Sequence, residues 1–554
     1  MPPKETFRCP ALLVLTTAAL LLLLLLRAAQ PARAPVRTAA TQQPGATAVR
    51  EWASLASSAA AVVPGGRGLL QRPVRATGDE RGGYTFFSTD YHIAPIADLA
   101  DVFASLCDEA GLCMRVEEHS FSGACGRAFG GRKPTCARGL RVLTKENAFD
   151  FCPRPHALRR AFFDAYRGPD SPLAAVDAFV CNHPPALCEA YMPFNKSLLV
   201  VATVNLEFSR ENEERWAEWL RSLRAIAANR RNVIAANNPY DAAYIRHFAG
   251  IEAEYIPSYC GYAARSAGPY SPQLHKPLLI ARNHNNPAVL IRELQAAARR
   301  EGGGAPRGGR GRRRGRGRGA RREAAGGGRR AEATGGGAGG GAGGGAGGGA
   351  GELGVSRRPG WLHRYSDLAR HPAVVLLPYT KSVMSFFELY RMNVPMFAPS
   401  LELLVQWERR HSLLKERIYW TAAPRPLRLA NGTSLSPNTR DDPAALRHWL
   451  ALCDFYHFPH ITYFDSWPDL LAKLRSADLA ATSAAMRAAN RRLLDELRQQ
   501  WRRLFLRMFR GAPPGSRAVP SDYDAAMRAL YGQVPPSREP SCRRESRPEY
   551  GEWG

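Results

Sequence analysis

The sequence predicts an α/β protein built from two Rossmann-like domains that face a cleft. Three observations predict it. From Tyr84 onward, apolar runs of strand length alternate with amphipathic helical stretches. The alternation breaks near residue 262 and restarts at Lys276. The clearest run, Leu198-Leu-Val-Val-Ala-Thr-Val204, is continuous and rich in β-branched residues, as suits a parallel strand covered on both faces.

In the first half the expected strands are Tyr84–Phe87, Cys113–Glu117, Val176–Cys181, Leu198–Val204, Val233–Ala236 and Ala253–Pro257. Between them, helices are expected from Pro95 to Cys107, His156 to Tyr166, Arg210 to Ala228 and Tyr240 to Phe248, with Gly250 as the C-cap of the last. The second half restarts with Lys276–Arg282, the loop Asn283-His-Asn-Asn-Pro287 and a helix to about Arg300. It continues with strand Ala373–Pro378, helix Ser382–Met392 and strand Pro395–Ala398. Residues 401–509 read as largely helical. Strand–helix alternation means parallel sheets, whose ligands gather at the carboxyl ends of the strands.

Flanking segments complete the layout. Ala11–Leu26 is an apolar run with Lys4 and Arg8 before it and Arg27 after, read as an uncleaved signal anchor; a cleaved signal peptide is the alternative. Residues 1–27 are then tip and anchor, and 28–80 a flexible stem. Residues 81–262 form the first domain and 275–510 the second, which is interrupted by a disordered Gly/Arg-rich insertion at 302–350; 511–554 form a disordered tail. The net charge is +27, and eleven Arg against one Glu lie between Arg307 and Arg330. RGG-like repeats of this kind bind single-stranded RNA in some proteins, but an expanded surface loop is the preferred reading, so a nucleic-acid partner is not expected.

Seven of the eleven cysteines fall between Cys107 and Cys188, and none has the close spacing of a zinc site. Disulfides in an oxidising compartment are expected, with connectivity open. The sequons Asn195-Lys-Ser197 and Asn431-Gly-Thr433 are candidate glycosylation sites.

The most specific segment is Ala373–Ser400. A strand ends at Pro378-Tyr379, a turn with Ser382 and Ser385 opens a helix, Glu388 lies within that helix, and Pro395 begins a new strand seven residues later. A helix start there offers N–H groups to a diphosphate, and a carboxylate a turn further in can accept ribose hydroxyls. The segment resembles the donor-binding signature of GT-B glycosyltransferases. Thr380 stands where retaining members carry a first Glu, and Asn393 where many have Gly.

The resemblance implies a glycosyltransferase that moves a sugar from a nucleotide-sugar to a hydroxyl of a glycan, protein or lipid. No resident cofactor or metal is implied, the nucleotide-sugar being a co-substrate. Arg282, His284, Tyr379, Lys381, Ser382, Ser385 and Glu388 would bind the donor, with Arg282 and Lys381 on the diphosphate. At the strand ends of the first domain, His92 with Asp90 would activate the acceptor, and His183 and Glu207 would line its site. With an anchor, such an enzyme is a single-pass Golgi or other secretory-pathway protein with its catalytic domain in the lumen. The alternatives are a non-catalytic GT-B-like glycan binder and an RGG-type RNA-binding protein. Two stretches keep two readings each: the aromatic cluster Asp454–Trp467 stacks on a ligand or fills a core, and the basic helix from Leu479 touches a membrane or packs across a domain.

Overall fold

The computed structural model describes residues 83–280 except 111, 124, 127–132, 138–139, 150, 152–153, 204–205 and 207–212. It further describes 287–302, 356–357, 364–414, 436–437, 442–532 and 538–540. The expected anchor, stem and insertion, and with them Asn431, lie outside the described residues. Among the described residues no helix is long and apolar enough to cross a membrane.

Two parallel sheets organise the chain. The first contains β1 (Tyr84–Asp90), β2 (Met114–Ser120), β3 (Thr135–Cys136), β4 (Ala178–Cys181), β5 (Ser197–Ala202), β6 (Val233–Ala236) and β7 (Glu254–Tyr255). Its order is β3-β2-β1-β4-β5-β6-β7, and every adjacent pair is parallel. The second contains β8 (Leu278–Ile280), β9 (Ser356–Arg357), β10 (Val374–Leu376), β11 (Met396–Pro399) and β12 (Thr462–Phe464), in the parallel order β12-β11-β10-β8-β9. Both orders are those of doubly wound sheets, each with one point where the chain reverses its direction of winding.

Burial on both faces follows from the strand composition. On the first sheet, Phe87, Phe179, Leu198 and Val200 pack into one core, while Phe86, Val116, Val180 and Leu199 pack into the other. On the second, Val374, Leu376 and Met396 face one core and Leu279, Val375 and Phe397 the opposite one. This is the period of two along a strand with apolar partners above and below.

Local signals set the helix ends. In Pro239–Ala249, Asn238 accepts the N–H of Asp241 and Gly250 closes the helix at φ 69°, as expected from its sequence. Asp478 caps the 30-residue helix Leu479–Met508, its carboxylate accepting the N–H of Ala481. Asn393 has φ 59°, a left-handed backbone that Gly and Asn share more easily than other residues.

The join between the sheets is held tightly. Asp98, on the helix Ile93–Ala110, accepts the N–H groups of Tyr259 and Cys260 at 3.1 and 2.5 Å, and Asp101 accepts that of Tyr262 at 2.7 Å. A Cβ on Gly261 would lie 2.7 Å from both Asp101 Oδ2 and the Tyr259 ring, so any larger residue there would force these side chains to shift. From the second sheet, the buried Arg391 donates to the carbonyls of Ser258 and Tyr259 and to Asn490 of the long helix.

That long helix packs across both sheets. Met486 enters a core of the second sheet, while Leu497, Trp501, Leu504, Phe505 and Met508 enter a core of the first. Its packing reading therefore holds. The aromatic cluster is also core: Phe455, Phe458 and Phe464 are buried against the second sheet.

The tail differs from expectation. Between 511 and 532 the chain is ordered where disorder was expected: it runs back over the first sheet and forms the helix Tyr523–Tyr531, while 533–537 and 541–554 lie outside the described residues. Tyr523, Ala526 and Met527 bury one face of it, and Gly515 N–H reaches Asp177 at 2.6 Å. Apolar residues at i, i+3 and i+4 outweigh the Pro- and Arg-rich surroundings that suggested a disordered tail.

Among the described residues three disulfides form, Cys107–Cys113, Cys125–Cys136 and Cys181–Cys188. Cys260 and Cys453 are buried thiols.

Candidate functional site

In the first sheet the winding reverses between β1 and β4. The helix after β1 lies on one face, and the helix Pro155–Tyr166 leads into β4 from the other. Their carboxyl ends therefore diverge and leave a crevice. Asp90 ends β1, fully buried. Its Oδ1 accepts the N–H of His92 at 2.7 Å and its Oδ2 that of His183 at 3.0 Å. The His92 and His183 rings come together, with centroids 4.1 Å apart at 44°. Three residues singled out from strand ends thus form one cluster.

The environment assigns them different characters. Burial pushes the Asp90 carboxyl well above the carboxylate range, and the N–H groups of His92 and His183 pull it back. Burial lowers His183 to about 3, so its imidazole is neutral at physiological pH. Asp90, its two oxygens on backbone N–H groups, has the geometry of a positioning group. Nearby, Thr203 Oγ1 donates to Asn182 Oδ1 at 3.2 Å, and Asn182 Nδ2 donates to the Val201 carbonyl. Glu207, the other acceptor-side candidate, lies outside the described residues.

In the second sheet the winding reverses between β8 and β10. The loop after β8, with Arg282 and His284, lies outside the described residues. After β10, Tyr379 is half-buried, and Thr380, Lys381 and Ser382 are buried. The helix that follows is Met384–Arg391, with no side-chain cap from Val383. Asp454 lies against its start. Burial raises the Asp454 carboxyl to about 8, while Ser382 and the backbone N–H of Val383 act in the opposite direction.

Two expected donor contacts are already engaged within the protein. Glu388 Oε1 accepts the hydroxyls of Tyr262 at 2.8 Å and Tyr365 at 2.9 Å, all three residues sitting close to the join. Lys381 Nζ lies 3.7 Å from Asp241 Oδ1 and 5.1 Å from the centre of the Tyr240 ring. Asp241 and Tyr240 start the helix after β6, so Lys381 reaches across from the second sheet to the carboxyl edge of the first. Tyr240 N–H to Leu452 O at 3.1 Å and Ser258 Oγ to Met384 Sδ at 3.4 Å follow the same seam. Ser385 is buried in the first turn of its helix.

The first sequon is closely packed. Asn195 has φ 57°; its Oδ1 accepts from Arg231 at 3.1 Å, and Ser197 is buried in β5.

Asp241, Asp454, Tyr262 and Tyr365 were not expected from the sequence. Asn238-Pro-Tyr-Asp241 is a legible helix-start signal at a strand end and could have identified Asp241. No local pattern marks the two tyrosines, which meet Glu388 only through the fold. Chemically, the two edges offer a pair of adjacent histidine rings, one of them held neutral, at one point and a buried lysine facing a carboxylate at another. Comparison of the chain with protein-family models, with curated proteins and with solved structures finds no match.

Proposed function

We propose that the chain is a GT-B type glycosyltransferase, binding a nucleotide-sugar mainly through the second sheet and the acceptor hydroxyl at the carboxyl edge of the first. The observation that carries this reading is the cluster of Asp90, His92 and His183 at the winding reversal of the first sheet. Lys381, meeting Asp241 from the second sheet, supports it by bringing the two edges together.

In this mechanism His92 takes the proton of the acceptor hydroxyl as its oxygen bonds to the anomeric carbon of the donor. The bond from that carbon to the diphosphate breaks, and the nucleoside diphosphate leaves with the electron pair. Asp90 holds the backbone that presents His92 and His183, and His183 lines the acceptor site. Lys381, with Arg282, offsets the charge on the leaving diphosphate, and Tyr379, Ser382, Ser385 and His284 complete the donor side. Glu388 takes the ribose hydroxyls after exchanging its tyrosine partners. The disulfides support a lumenal setting in the secretory pathway, with the apolar N-terminal run as anchor.

A second reading, a glycan binder without transferase activity, is favoured by one observation: Glu388 is already hydrogen-bonded by Tyr262 and Tyr365. The full chain assayed against a panel of nucleotide-sugars separates the two. A transferase should hydrolyse or transfer from one of them, and His92→Gln should lower kcat by roughly 100- to 10,000-fold at unchanged thermal stability. No turnover with any donor, and no effect of Glu388→Ala on donor binding, would sink the enzyme reading.

A further inference from the structure

The helix Leu479–Met508 has a second face that no function has yet absorbed. Its buried side joins the two sheets. On the opposite side Arg491, Arg492, Asp495, Glu496 and Gln499 are exposed, followed by Arg502, Arg503 and Leu506, with Arg510 one turn beyond. From Leu497 to Arg510 there is no acidic residue. Arg507 is bridged to Glu254 at 3.1 Å, whereas Arg502, Arg503 and Arg510 form no ion pair among the described residues.

Leu506 stands at the centre of these arginines and is 47% exposed. Among the described residues only Leu274 shares the distinction of being a large, well-exposed apolar side chain. Arg502 and Arg503 lie four and three residues before Leu506, and Arg510 four after, so all three flank it on one helix face. A polyanion in solution would pair with the arginines and leave the leucine without a partner. An anionic bilayer satisfies both, taking the guanidinium groups at its phosphates and the leucine among its headgroups.

We infer that this face of the long helix docks on an anionic phospholipid surface. The acid-free part of the face, from Gln499 to Leu506, extends roughly 10 Å along the helix, enough to contact more than one headgroup. Docking there fixes the orientation of both sheets against the bilayer, because the same helix is built into both.

The test is flotation of the full chain with phosphatidylcholine vesicles, with and without phosphatidylserine, at limiting lipid. The ratio of the two partition coefficients is the readout, since the contribution of any apolar segment elsewhere in the chain cancels. The triple variant Arg502→Gln, Arg503→Gln, Arg510→Gln should lower that ratio about a hundred-fold, each arginine near the surface being worth roughly a factor of five. Leu506→Gln should weaken binding to the phosphatidylserine vesicles several-fold. Because all four side chains are exposed, circular dichroism should show the variants folded. An unchanged ratio in the triple variant overturns the proposal. So does a triple variant that loses heparin or RNA binding while Leu506→Gln leaves vesicle binding intact, which would assign the face to a soluble polyanion.

Discussion

Lys381 and Asp241 form an ion pair across the two sheets, 3.7 Å from Nζ to Oδ1, with both side chains buried. Removing the cation leaves a buried carboxylate opposite an apolar side chain. Lys381→Met should cost about 3–5 kcal/mol in urea unfolding. Adding Asp241→Asn should restore part of that loss, because the uncompensated charge is then gone. Equal stabilities for wild type and Lys381→Met would show that the pair is not formed in solution.

Asp454 should make stability depend on pH. Its carboxyl is raised from 3.8 to about 8 by burial, so between these values the folded state holds a proton that the unfolded chain has released. The contribution of this group therefore falls as pH rises through that window, by at most about 1.4 kcal/mol per unit. Asp454→Asn has no proton to lose. Unfolding free energies compared near pH 5 and near pH 8 should show the variant gaining on the wild type as pH rises. A difference that stays flat contradicts the raised value.

Arg391 donates to three acceptors on two other segments, Ser258 O, Tyr259 O and Asn490 Oδ1. A lysine carries one point charge and cannot span that fork. Arg391→Lys should destabilise by about 2–4 kcal/mol, and Asn490→Ala by about 1–3 kcal/mol, with strong non-additivity between them. A double-mutant cycle in guanidinium chloride measures the coupling, and additive losses would disprove the shared network.

Cys181 ends β4 and its bridge to Cys188 closes the loop that carries His183. Replacing both by Ala should cost about 2–3 kcal/mol by freeing the unfolded chain. Under the proposed transferase reading, in which this loop positions His183, acceptor KM should rise in the same variant while the donor KM stays put.

Much of the scaffold was legible because it depends on neighbours in sequence. The run Leu198–Val204 appears as β5 at Ser197–Ala202, Val233–Ala236 is a strand as expected, and Gly250 caps its helix. Strand ends also led to Asp90, His92 and His183, since parallel sheets place ligand groups there. What escaped was partnership. Glu388 was expected to face a ribose, but its hydroxyl partners Tyr262 and Tyr365 lie 126 and 23 residues away. Asp454 carries no mark of its own within the aromatic cluster, because the groups it meets, Ser382 and Val383, lie far earlier in the chain. The helix Tyr523–Tyr531 was hidden by composition: its few apolar residues count only once the first sheet is there to receive them.

The order of synthesis adds a consequence to the long helix. One core of the first sheet is completed by Leu497 to Phe509, and the other receives Tyr523 and Met527. The residues that begin that sheet, from Tyr84, leave the ribosome more than four hundred residues before the ones that cover it. A nascent chain therefore carries a half-covered sheet through most of its translation, exposed to chaperones and to other chains. Stop codons placed after residue 480 should thus behave like stops in the middle of the protein, yielding aggregates in place of a slightly shortened protein.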